Sequence, residues 1–385
     1  MVHIGASVAL PAKREEKKVE YLELIYDLIF VYIIGRNNSL LHSVTGGFVS
    51  LQQFLAYAIG TLAVIQIWNF STYYINMFGR NGVRDHVFLF VNMYLLYYIG
   101  EGTRLRWEGF WTQYHVAWAL ILANIALQYA IELRHHRDAP DAARTIRRMI
   151  ATLVGEAVLV LAATWITAGG FPVMTLAAIL FGMAMTGLLG GEKKASLVDF
   201  GHLSERAMLY VVFTFGEMII AIASYFEGWL TLNSVYFSLM AFLIVVALFL
   251  GYEVLYNRII DRTRTDSGLG FMLIHIFLVF AMNNLTTALE FMQDTAVRLW
   301  PKTLFLLGAF LLYYLCLIAL MRFARKGLGL CRRFLVPALA VTAAFVAGML
   351  ILRENMFLNI ALSVAYVYAM FARMLVFARR AGRDD

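Results

Sequence analysis

Three acids sit at helical spacing where the first apolar stretch of the chain begins. Glu20, Glu23 and Asp27 follow one another at i, i+3 and i+7, so a helix places all three on one face. Like charges this close cannot all ionise without a cation beside them. A second charged group, His202, Glu205 and Arg206, opens a later apolar stretch and is followed by Glu217. If the two helices are neighbours, Arg206 is the natural partner of Glu23 or Asp27. Further ionisable residues lie in or at the ends of apolar runs: Arg36, Glu101, Glu156, Glu253, His275 and Glu290. Each charge centred in a lone membrane helix costs roughly 2.5–3.5 kcal/mol. These side chains therefore face a protein interior, pair, or are neutral. Acids in excess, spread over every depth, fit a route for protons or cations. The bland alternative is that they are buried ion pairs joining helices.

The elements that must carry these residues are apolar throughout. The 385 residues are 61% hydrophobic and 15% charged, with a mean hydropathy of +0.72. A soluble domain is about 45–50% apolar and about 25% charged, so an ordinary soluble enzyme is excluded. A span needs about 20 apolar residues. Twelve runs qualify: 20–39, 48–77, 86–102, 112–132, 147–168, 171–189, 204–225, 231–256, 268–291, 303–321, 334–352 and 355–377. The reading is an all-α, polytopic transmembrane bundle, with the first run an uncleaved helix because it is full-length and acidic.

Lys and Arg divide 25 against 5 between alternate sides of these runs, with Arg36 and Arg206 inside them. Positive residues collect in cytoplasmic loops, so both termini are expected in the cytoplasm. The same bias accounts for the net charge of +7 without nucleic acid. Runs one, two and three begin near 20, 48 and 86; runs seven, eight and nine begin near 202, 230 and 268. One offset of about 182 residues relates them and points to two six-helix repeats in parallel orientation. The expected organisation is a cytoplasmic tail over 1–19, a first repeat over 20–189, a linker over 190–203, a second repeat over 204–377 and a tail over 378–385. Sites in repeat-built transporters lie at the repeat interface.

Less specific features have plainer readings. Trp68, Tyr73, Tyr74 and Asn76 end the second run, where an interfacial aromatic belt is expected. Asn124 and Gln128 share a helical face and line a cavity or bond a neighbour. His135 and His136 belong to a basic loop. Cys316 and Cys331 have no metal or disulfide spacing. His202 and Glu205 lack converging further ligands, so no metal or cofactor is expected, and enzyme motifs are absent.

The segment Glu23-Leu-Ile-Tyr-Asp-Leu-Ile-Phe-Val31 with Ile33-Ile-Gly-Arg36 resembles the opening signature of the low-temperature-requirement A (LtrA) family of bacterial membrane proteins. Gly201-His-Leu-Ser-Glu-Arg206 followed by Gly216-Glu217 resembles its second hallmark. Trp68, Asn76, Glu101, His275 and Glu290 are similar to further family positions. Gly79, where the family often has Asp, and Gly251-Tyr252-Glu253, in place of a tryptophan-rich end, depart from it. The resemblance implies a polytopic inner-membrane protein, and the cold-growth phenotype behind the family name implies membrane or ion homeostasis. The expected function is a proton- or monovalent-cation-conducting transporter or channel. Its route runs through Glu23, Asp27, Glu156, Glu205, Arg206 and Glu217, with Glu20, Arg36, Glu101, His202, His275 and Glu290 as secondary polar sites. The alternative is a non-conducting protein that binds lipid or a protein partner. An oligomer is compatible with either.

Overall fold

The computed structural model describes residues 17–102, 107–166, 173–189, 197–226, 230–292 and 294–381. Most of the expected N-terminal tail (1–16) and half each of the expected C-terminal tail (382–385) and linker (190–196) lie outside these residues. The described residues are all-α apart from a two-strand turn, Val44–Thr45 against Phe48–Val49, and an isolated bridge between Ile260 and Ala324. Among the described residues twelve α-helices follow in order: α1 Tyr21–Asn37, α2 Leu51–Phe78, α3 Val83–Gly102, α4 Trp107–His135, α5 Pro140–Ala162, α6 Val173–Leu189, α7 Phe200–Ile222, α8 Leu232–Val254, α9 Leu269–Glu290, α10 Leu299–Leu320, α11 Arg332–Ile351 and α12 Met356–Ala381.

Eight of them, α2, α4 and α7 to α12, are long and apolar enough to cross a membrane. α1 and α6 are apolar but have 17 residues each; α1 continues as a 3-10 turn through His42. α5 carries Arg144, Arg147 and Arg148 in its first half, which lowers its apolarity.

Local chemistry sets the helix ends. Ser50 caps α2 by accepting from the Gln53 N–H at 3.2 Å, and Thr231 caps α8 through the Ser234 N–H at 3.1 Å. Asp199 caps α7 through the His202 N–H at 3.1 Å. Each satisfies a donor that a helix start leaves free. The Asp199 cap moves the start of α7 back to Phe200, so Gly201 and His202 belong to its first turn and not to a linker. α8 ends in a π-helical turn, Leu255–Ile259.

α1, α2, α7 and α9 form the centre. α1 packs on α2, α3 and α7, and α9 on α2, α6, α7 and α10. The bonds Tyr26–Ser71, 2.8 Å, and Asn37–Thr61, 3.3 Å, fix α1 antiparallel to α2. Trp68, Tyr73, Tyr74 and Asn76 are buried. They are turned into the bundle and do not form the lipid-facing belt expected of them, because their polar atoms find partners inside.

Candidate functional site

One face of α1 and one face of α7 bring four charged or ionisable side chains together. Glu23 and Asp27 are one turn apart on α1, His202 and Arg206 one turn apart on α7, so each pair shares a face. Arg206 Nη1 lies 3.1 Å from Glu23 Oε2, and its Nη2 donates to Asp27 Oδ1. His202 Nε2 faces the same Glu23 oxygen at 3.4 Å. The most exposed of the four, Glu23, is 3% accessible. Such burial is tolerable only because the charges pair; breaking one side of a buried pair typically costs several kcal/mol.

α2 fixes the orientation of the cluster. Trp68 Nε1 donates to Asp27 Oδ1 at 2.8 Å, and its ring stacks on Tyr210 of α7 with centroids 4.2 Å apart. The Asn76 carbonyl accepts from the Asp199 N–H at 3.0 Å, and its amide donates to the Asp199 C=O at 2.9 Å. The Asp199 backbone thereby sets which way Asn76 points. Its Nδ2–H therefore donates to His202 Nδ1, 2.9 Å away. A neutral imidazole then keeps its proton on Nε2, toward Glu23. Below this layer, Asn124 donates to Asn92 at 2.8 Å, and Asn92 to Tyr26 at 3.3 Å.

Charge balance follows from this set. Two carboxylates meet one permanent cation, Arg206. The second carboxylate is offset from the cavity side by Lys17, whose ammonium Glu23 attracts, or by a proton or monovalent cation in its place. Asp27 Oδ2 accepts no hydrogen bond among the described residues, so one acidic oxygen is unengaged by protein donors.

Two cavities reach the cluster from the end where α1 begins. One, of about 210 Å³, touches Glu20, Glu23, Arg80 and Asp85. The other, of about 600 Å³, touches His202, Glu205, Tyr256 and Arg262. Lys17 and Lys18 line both. Lys17 Nζ donates to the carbonyls of Ile75 and, at 2.9 Å, of Gly79, where α2 ends. Burial pushes its ammonium below the ordinary lysine value, against the pull of Glu23.

The other expected residues stand apart from this centre. Glu205 lines the larger cavity and makes no ion pair among the described residues. Residues 205 and 206 point about 100° apart on a helix, so both cannot face α1. Glu156 is buried between α5, α2 and α6, and receives the Gln66 amide at 3.2 Å. The register of α1 on α2 puts Gln66 midway along α1. Glu217 lies against Gly35, where a Cβ would overlap its carboxylate. Arg36 pairs with Glu101 at 3.4 Å, and His42 with Glu290 at 3.2 Å. His275 donates from Nδ1 to the Phe271 carbonyl at 2.8 Å and accepts from Tyr252 at 3.1 Å. Glu20 precedes α1 and lines the smaller cavity.

Sequence reasoning missed Glu132, buried on α4 and bound by Arg84 at 2.6 Å. It stands beside a basic loop and reads as solvated; only the run of arginines at Arg80 and Arg84 hinted at a partner. Among the described residues, no three His, Cys, Asp or Glu side chains gather as metal ligands.

A bundle of long apolar helices around a buried charge cluster defines a polytopic α-helical membrane protein. Residues 18–378 match the family described as bacterial low temperature requirement A protein (LtrA), and the chain belongs to it. No curated protein matches the chain.

Proposed function

We propose that this protein is a proton- or monovalent-cation-conducting transporter or channel of the bacterial inner membrane, with Glu23, Asp27, His202 and Arg206 as its central binding station. The observation that carries this reading is the charge balance of the cluster. Two buried acids share one arginine, and cavities lead to them from one side. Arg206 offsets one acid permanently, and the other can exchange Lys17 for a proton or a monovalent cation. Glu156 with Gln66 at mid-level, and Glu217, Glu101 and Glu290 farther along, supply later acidic positions on the way across.

The proposed frame is twelve spans in two parallel six-helix repeats, with both termini cytoplasmic. Recurring neighbours support it. α1 packs on α2 and α3 as α7 does on α8 and α9, α3 on α4 as α9 on α10, and α2 on α6 as α8 on α12. The second reading, a non-conducting protein held together by these pairs, is favoured by the three bonds that Trp68 and Arg206 direct at Asp27 and Glu23.

Flux into liposomes separates the two. Protein reconstituted with a pH-sensitive dye inside is exposed to proton, sodium or potassium gradients. Asp27→Asn keeps the side-chain shape and a hydrogen bond worth about 1 kcal/mol between membrane helices, but removes the charge. The conducting reading expects folded protein with flux lowered about tenfold or more, the consequence of losing an ionisable position on the route. Arg206→Gln should shift the pH profile, since a cation that favours the ionised acids is gone. Wild-type protein that is folded and silent to all three ions would falsify conduction and leave the structural reading.

A further inference from the structure

The corner between α4 and α5 gathers arginines that the cluster on α1 and α7 does not use. A cavity of about 380 Å³ is lined by Arg137, Arg144, Arg147 and Arg148, with Pro140 and Ala143 beneath them. The five basic residues other than histidine from 134 to 148 are all Arg, with no Lys. A guanidinium grips a phosphate with a planar, two-pronged donor set, which an ammonium lacks. Two acids, Asp138 and Asp141, stand among the five arginines, Asp141 4.0 Å from Arg144, so positive charge predominates.

The arginines also head a longer pattern. α5 buries Ile146, Met149, Leu153 and Glu156 against its neighbours. Its opposite face is exposed at Arg144, Arg147, Ala151, Val154, Val158 and Leu161. These positions alternate by three and four residues, so they form one straight stripe along the helix. The stripe is cationic for about one turn and apolar for about three. From Ala151 to Leu161 it rises about 15 Å at 1.5 Å per residue, about half of a 30 Å hydrocarbon core, the depth of one leaflet.

We propose that this corner and stripe bind one anionic phospholipid, its phosphate among Arg137, Arg144 and Arg147 and an acyl chain along Ala151, Val154, Val158 and Leu161. The cationic end matches the headgroup in charge, and the apolar length matches the chain it carries. A zwitterionic phospholipid offers the same tail without net charge. A free phosphate offers the charge without the tail.

The test uses the full chain in neutral detergent, with lipid adducts counted by native mass spectrometry. Phosphatidylglycerol should bind, and phosphatidylcholine should bind far more weakly. Arg144→Gln with Arg147→Gln should weaken phosphatidylglycerol about 25-fold, about fivefold for each arginine near a membrane surface. Both side chains are exposed, so helix content should not change. Arg353→Gln, in the turn after α11, should leave binding as it was. Val154→Ser with Val158→Ser should weaken the lipid although every arginine remains. The proposal is overturned if phosphatidylcholine binds equally, if the arginine pair is dispensable, or if Arg353→Gln costs as much. Inorganic phosphate that displaces the lipid, or serine variants that bind normally, would replace it with a free-anion site.

Discussion

At Gly182 of α6 a single hydrogen atom decides whether a buried acid fits. A Cβ there would overlap both Glu156 Oε2 and Gln66 Nε2. Both side chains are buried, so neither can swing into solvent. Gly182→Ala should therefore destabilise the fold by about 1–3 kcal/mol, the usual cost of overpacking a core, read as a lower thermal midpoint in detergent. Gly182→Ala with Glu156→Ala should recover part of it, because the space left by the carboxylate lets Gln66 move off the new methyl group. A single variant as stable as the wild type would show that the pair yields easily. At this scale the sequence is legible where periodicity reports a shared face. The spacing of Glu23 and Asp27 foretold one acidic surface, and Arg206 was named as its partner. It is not legible where the informative direction runs across helices. Gly182 reads as a packing glycine, but nothing in the chain says what packs there. Trp68 reads as a belt residue because aromatic helix ends usually are, and only its bond to Asp27 reveals otherwise.

Helix ends carry the next set of consequences. The 3-10 turn after α1 holds His42 against Glu290, the last residue of α9. The hydrogen bond to Glu290 raises the His42 pKa, burial opposing it. A raised folded-state value means that this contact stabilises fully below the unfolded histidine value, about 6.5, and fades as pH rises through the folded value. His42→Gln should thus lower the thermal midpoint at about pH 5.5 and converge with the wild type by about pH 8.5. The His42 side chain is half exposed, so the effect should be well under 1 kcal/mol. A gap that widens with pH would contradict the pairing. Most element boundaries are legible to a few residues, because apolar runs and helices coincide; α5 is the exception, beginning at Pro140, seven residues before its run, because its first turns are polar and basic. α7 begins one turn before its apolar run at 204, because Asp199 caps it. The π-helical end of α8 has no counterpart in the hydropathy pattern, because one extra residue in a turn leaves composition unchanged.

For the whole molecule, the proposed topology sets the two sides of the membrane. In a chain whose two cysteines are replaced by Ser, Ser43→Cys and Ala139→Cys are exposed labelling sites. A membrane-impermeant maleimide should reach Ser43→Cys on intact cells and Ala139→Cys only after permeabilisation. The reverse pattern would invert the orientation, and labelling of both on intact cells would remove the alternation itself. The charge split of 25 against 5 is what argues for this orientation, and the offset of about 182 residues is what argues for two halves. Under the proposed repeat, the seam between α1 and α7 has a history. Residues 182 apart are counterparts in the proposed repeat, so Gly35 corresponds to Glu217 and Lys17 to Asp199. Gly35 meets Glu217, and the Lys17 N–H lies 3.4 Å from Asp199 Oδ2. Counterparts that touch lie close to the axis relating the halves. In an ancestor made of two identical six-helix chains, a residue at that axis would have met its own copy. Two glycines would leave a hole, and two glutamates would set like charges face to face. Once both copies share one gene, a notch can evolve on one side and an acid on the other. In the proposed repeat, fusing the halves would supply what a twin seam could never have: two unlike walls, and with them a preferred direction.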